Sequence, residues 1–224
     1  MRAENGVIVR NNFKRIREEV KALNKNCQIV AVTKGRDVDD VKLVIEAGAL
    51  IVAENRVAEA EAKFGAIATP QKHMIGHLQR NKVKKAVMIF DVIQSVDSFR
   101  LASEINRRCA EIGKKMPICL QVNTANDPGK HGLSVDEVEE VAADIGKLGN
   151  VEIVGLMTIG KLEATEDEQR KCFLKLRNIY DEFVTRGIFA SNSPILSMGM
   201  SNDYKIAIEC GSNMVRIGSE IFAN

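Results

Sequence analysis

Two rhythms of apolar residues alternate along this chain. Short runs rich in Val and Ile, with no polar face, are separated by longer segments in which apolar residues recur every three or four positions. The first rhythm predicts strands covered on both faces, and the second predicts helices with one buried stripe. Strands are expected near residues 28–33, 50–53, 72–75, 89–93, 116–123, 151–156, 194–197 and 213–217. Ahead of them Val9, Phe13, Ile16, Val20 and Leu23 mark one stripe of an opening helix.

Helix punctuation supports this division. Asp37 is placed to cap a helix ended by Gly48, and Asp97 to cap another ended by Gly113. Ser134 with Glu137, and Thr165 with Glu168, have capping-box spacing, and Gly187 closes the last of these helices. Strands and helices in strict alternation give βα units and a parallel sheet. An open, doubly wound sheet shares that alternation. Eight strands favour closure into a (β/α)8 TIM-type barrel with an extra N-terminal helix, in one domain over residues 1–224. The length is near the lower end of the barrel range of roughly 200 to more than 400 residues, and no linker-like stretch interrupts it.

Composition narrows the possible partners. With 32 basic and 30 acidic residues, the net charge of +2 gives no field that would draw nucleic acid or an anionic membrane. Residues 72–85 are locally basic and read as a solvated face. The chain has no Trp and few aromatic side chains, so no base-stacking platform accompanies them. The five cysteines lack a CxxC pair and read as reduced core thiols. His73, His77 and His131 lack metal-ligand spacing, so no metal is expected. No apolar run approaches a membrane span, and the first residues lack a secretory core. A cytoplasmic protein without membrane or nucleic-acid partners is the expectation.

In such a barrel the chemistry belongs where strands end and βα loops begin. Lys34 follows IVAVT, Asn55 follows LIVAE, and His77 follows HMIG. Asn123 and Thr158 end later strands, and Arg216 lies in the last. A lysine at a buried strand end has its stem among apolar walls, and desolvation of its amine would lower the pKa toward nucleophilic use. A solvated rim lysine is the alternative from position alone. The loops after strands seven and eight read SMGMSND and RIGSEIF. Ser201 is placed to cap one helix, and Gly218 with Ser219 to open another, so backbone N–H groups and hydroxyls could converge on a phosphate. Gly199 and Gly218 permit close backbone approach.

In order and at matching spacing, AVTKGR, AENRVAEAEAK, HMIGHLQRNK, KHGL, GLMTIG, LSMGMSNDYKIAI and GSNMVRIGSEIF resemble the pyridoxal-phosphate homeostasis proteins. These are related in fold to the barrel domain of alanine racemase. The resemblance covers nearly the whole chain. It implies pyridoxal 5′-phosphate (PLP) held as a Schiff base on Lys34, with phosphate contacts from Ser201, Gly218 and Ser219. Arg216 would face the pyridine nitrogen, where a cation disfavours ring protonation and weakens the electron sink. Asn55, His77 and Met198 would line the cofactor. Ala53 and Lys72 depart from the usual Gly and Trp of the pattern.

The implied role is intracellular PLP storage or delivery by a monomer without catalytic turnover, with PLP-dependent apoenzymes as transient recipients. A racemase, decarboxylase or aldolase is the alternative, and it needs a placed acid or base. Tyr180 reads as helix packing, which leaves Tyr204 as the better candidate.

Overall fold

The computed structural model describes residues 2–65, 67, 70–161 and 163–223. Among them eight parallel strands form a closed barrel in chain order: β1 (Gln28–Val32), β2 (Ile51–Glu54), β3 (Gln71–Met74), β4 (Val92–Val96), β5 (Met116–Gln121), β6 (Val151–Met157), β7 (Ile195–Met200) and β8 (Met214–Ile217). The last strand pairs with the first, Val30 opposite Arg216. The fold is therefore the TIM-type (β/α)8 barrel and not the open sheet.

The outer layer comprises α1 (Arg2–Leu23), α2 (Val38–Glu46), α3 (Val57–Phe64), α4 (Val83–Ile89), α5 (Phe99–Glu111), α6 (Val138–Ile145), α7 (Glu166–Thr185) and α8 (Tyr204–Glu209). No helix follows β8 among the described residues. The opening helix α1 packs between α8 and α2, so the extra N-terminal helix fills the eighth outer position. Its stripe of Val9, Phe13, Ile16 and Val20 is buried, whereas Leu23, at the helix end, is 45% exposed.

Side-chain alternation divides each strand between two cores. Ala31, Val52, Met74, Ile93, Leu120, Leu196 and Val215 join the helices in one large apolar cluster. The barrel interior is mixed: Val30, Val32, Ile51, Ala53, Ile75 and Met214 form a small apolar cluster, while His73, Gln94, Ser197 and Arg216 are buried and hydrogen-bonded to one another. All five cysteines are buried and unpaired, as expected of core thiols, and burial pushes Cys27 and Cys119 up to about 12.

Several local expectations need correction. The fourth strand starts at Val92, because Val83, Ala86 and Val87 bury one side of α4 and Phe90 caps it. Ser98, not Asp97, caps α5 by accepting from Leu101 N. The Ser134 hydroxyl accepts from Glu137 N, but a turn intervenes before α6 begins at Val138. Asp37 and the Thr165–Glu168 capping box are formed as expected.

Candidate cofactor site at the barrel mouth

Lys34 stands in a tight turn just past β1, where Arg36 N donates to Thr33 O at 3.1 Å and Gly35 takes φ +70°. It is exposed, so its amine is not desolvated by the strand walls as expected. Its neighbours are held instead. Thr33 Oγ1 donates to Glu54 Oε1 at 2.6 Å, Lys63 Nζ donates to Thr33 O at 2.9 Å, and Gly35 N donates to Glu59 Oε2 at 3.1 Å. The Gly35 N–H is the main influence that holds the Glu59 carboxyl below its usual range. Sequence reading missed Glu54, Glu59 and Lys63. The available signal was a glutamate inside the apolar run LIVAEN, since an acid there needs a cationic partner.

Arg216 points into the barrel from the neighbouring strand and is 4% exposed. Its guanidinium donates to Ser197 Oγ at 2.7 Å and to Thr158 O at 2.8 Å. Ser197 Oγ in turn donates to Gln94 Oε1 at 2.6 Å, and Gln94 Nε2 lies 2.7 Å from His73 Nδ1. An amide donates to that nitrogen, so the neutral ring carries its hydrogen on Nε2, which has no partner among the described residues. Burial brings Arg216 down to about 10 and His73 down to about 3. At neutral pH this chain therefore runs from a charged arginine to an uncharged histidine.

The two glycine-bearing loops meet beside the end of β1. Gly218 N donates to Ser201 Oγ at 3.4 Å, and a Cβ on Gly218 would stand 3.0 Å from Val32 O. Gly199 adopts φ +96°, with Ala207 too close for any side chain there. The N–H groups of Ser201, Asn202 and Ser219 take no partner among the described residues. Two helix ends expected here differ. Asp203 rather than Ser201 precedes α8, its carboxylate accepting from Met200 N, and Gly218–Ser219 open a single turn rather than a helix. Ser201 and Gly218 nevertheless meet, and Gly218 lies against Val32, two residues before Lys34.

Asn55 is half-buried at the end of β2, its backbone pressed against Gly76, where a Cβ would lie 2.4 Å from Asn55 O. His77 is exposed, stacked on His131 at 3.7 Å between ring centroids, with Nδ1 3.0 Å from Asp97 Oδ2. Distance along the chain hid that encounter. Met198 is not brought to the mouth: it is fully buried in the helix-facing cluster, because Ser197 before it takes the inward position. The tyrosine hydroxyls point elsewhere. Tyr204 donates to Glu19 Oε2 on α1 at 2.7 Å, and Tyr180 to Pro194 O at 2.9 Å.

Known proteins resemble this chain in sequence and in fold. The family described as alanine racemase, N-terminal domain, matches residues 8–223. A pyridoxal phosphate homeostasis protein of Synechocystis is 33% identical over 210 residues, covering 92% of this chain and 95% of that protein. The structure of PipY from Synechococcus elongatus with PLP bound has a TM-score of 0.87 at 31% identity, over 96% of this chain and 100% of that one. An alanine racemase of Clostridium difficile, 18% identical, shares the fold with a TM-score of 0.79, over 97% of this chain but 59% of its own. By sequence and fold alike, the chain belongs to the pyridoxal phosphate homeostasis protein family, within the wider alanine racemase N-terminal domain family.

Proposed function

We propose that this protein holds PLP on Lys34 for storage or delivery in the cytoplasm, as a monomer and without catalytic turnover, the whole chain acting as one barrel domain. The observation that carries this reading is the exposed Lys34 turn at the end of β1, with Gly218 packed against Val32 of that strand and bonded to Ser201. The residues suit a phosphorylated aldehyde. Backbone N–H groups without a partner among the described residues, together with the Ser201 and Ser219 hydroxyls, would serve an anion beside Gly218, where a side chain would intrude on Val32.

When bound, the cofactor supplies an aldehyde that a primary amine holds as a reversible Schiff base. Lys34 provides that amine. Ser201, Gly218 and Ser219 would bind the phosphate, Asn55 and His77 would border the ring, and Arg216, locked by Ser197 and Thr158, would supply a positive charge toward the ring nitrogen. That charge discourages ring protonation and the carbanion chemistry that depends on it. No helix among the described residues is long and apolar enough to cross a membrane, and the recipients in this reading are PLP-dependent apoenzymes that meet the open mouth transiently.

Treatment with PLP and then borohydride, followed by peptide mapping, should place a pyridoxyl group on Lys34. Attachment to Lys63 or Lys130 instead would sink the proposal. One observation favours a second reading, an amino-acid racemase, decarboxylase or aldolase: the His77–Asp97 pair at the mouth has the form of an acid–base unit. Turnover of an amino acid by the loaded protein, abolished by His77→Ala, would establish it.

A further inference from the structure

Lys63 is a lysine only 8% exposed, and Glu54, its closest partner at 2.8 Å, is fully buried. The Lys63 ammonium spends its three N–H groups on Glu54 Oε1, Thr33 O and, at 3.4 Å, Glu59 Oε2. Glu54 Oε1 also receives the Thr33 hydroxyl, whereas Glu54 Oε2 has no partner among the described residues. An ion pair with an orphaned oxygen is a poor source of stability, since apolar residues of similar volume commonly do as well or better in its place. Apart from Glu59, the groups it holds are on one turn. Thr33 is held through its carbonyl and its hydroxyl, and Gly35 through its N–H, so the residues on either side of Lys34 are fixed from α3 and β2. Lys34 itself is left exposed.

Building on the carrier reading above, we propose that Glu54, Lys63 and Glu59 are positioning residues that aim the Lys34 side chain at the phosphate loops. For an imine to form, the neutral amine adds to the aldehyde carbon and water leaves. The nitrogen must meet that carbon while the phosphate is already seated, so the direction in which the lysine stem leaves the backbone governs the rate. Displacements of about 1 Å in such arrangements change rates by up to roughly 100-fold.

Lys63→Met alone strands the buried Glu54 carboxylate and is expected to unfold the protein. The test therefore uses the double variant Glu54→Met/Lys63→Met, with Lys63→Arg as the conservative partner. The double variant should melt within a few degrees of the wild type and bind pyridoxine 5′-phosphate, which has the phosphate but no aldehyde, equally well. Its rate of covalent capture of PLP, followed by absorbance, should fall roughly 10- to 100-fold. Lys63→Arg should restore most of that rate.

Capture at the wild-type rate by the folded double variant would overturn the proposal. So would a matching loss of pyridoxine 5′-phosphate binding, which would mean a general loosening of the mouth. If the double variant does not fold, Thr33→Val removes the hydroxyl that Glu54 holds while keeping the branched shape. Unslowed capture there would count equally against the proposal. Should the wild type itself capture no PLP on Lys34, the carrier reading fails, and hydrogen exchange at Gly35 and Arg36 then decides the positioning role. Faster exchange in the double variant supports it, and unchanged exchange rejects it.

Discussion

Lys34, in the turn just past β1, and Arg216, on the adjacent β8, are two basic residues whose surroundings are opposite. Lys34 lies in an exposed turn whose flanks are tied down while its own amine is left open. Arg216 is sunk in the interior, its guanidinium fixed on a hydroxyl and a carbonyl rather than on a carboxylate, with burial lowering it to about 10. A desolvated cation bound only to neutral oxygens opposes folding. The arrangement is intelligible where a preorganised charge at that point serves a bound group. The difference teaches that the attacking group needs access and a fixed base, while the group that tunes the ring needs immobility.

The largest effect should come from the open side. Lys34→Ala should abolish covalent attachment completely, while the melting temperature hardly moves, since exposed substitutions stay within about 0.5 kcal/mol. Borohydride mapping and a thermal melt read both quantities, and loss of the cooperative melt would show that the turn supports the barrel.

The locked side should fail through acid. His73 ordinarily titrates near 6.5, and burial lowers it to about 3 in the fold. Below pH 6.5 the unfolded chain takes a proton that the folded one refuses, so stability falls from there until pH reaches about 3. The accumulated loss is on the order of 5 kcal/mol. Glu19 and Glu104, both held near 2 by cationic neighbours, contribute only below about 4.5. His73→Gln should therefore flatten the denaturation curve between pH 6.5 and 4.5. A slope there equal to that of the wild type would break the picture of a neutral buried chain ending on His73.

This contrast also explains what sequence could and could not disclose. The helix-facing shell was legible because it obeys simple periodicities: Phe13, Ile16 and Val20 repeat every three or four residues, and Thr165 with Glu168 announces α7. The interior follows another rule. Gln94 makes β4 look like the end of a strand because its buried side chain serves hydrogen bonds across the barrel to His73 and Ser197, which no local pattern encodes. Lys34, Ser201, Gly218 and Ser219 can be proposed from sequence because they follow strand ends. Met198 was misplaced by a single step of the alternation, and Lys63 was passed over because a lysine on a helix usually faces water.

The phosphate loops follow β7 and β8, and their effect should be intermediate. Ser201→Ala or Ser219→Ala removes a hydroxyl that a phosphate would engage, and hydrogen bonds to charged groups contribute about 1.5–3 kcal/mol each. PLP affinity should drop roughly 10- to 150-fold, while Lys34 still reacts. Pyridoxal without phosphate should lose more than either variant. Equal affinity for pyridoxal and PLP would detach these loops from the site.

The smallest effect should come from Tyr204, which lies outside both regions. Its hydroxyl donates to Glu19, which also meets Arg15 at 2.7 Å and Lys205 at 2.8 Å, so the carboxylate keeps partners when the hydroxyl is gone. Tyr204→Phe should therefore cost about 1 kcal/mol, or a few degrees of melting temperature. Burial, helped by Glu19, raises the Tyr204 hydroxyl well above its usual range, so at neutral pH it keeps its proton and offers no base. In deuterated water the PLP-loaded protein should exchange the α-protons of amino acids no faster after this substitution, and no slower. Exchange with turnover that disappeared in Tyr204→Phe would mean that this side chain swings from α1 to the mouth. The protein would then be an enzyme rather than a carrier.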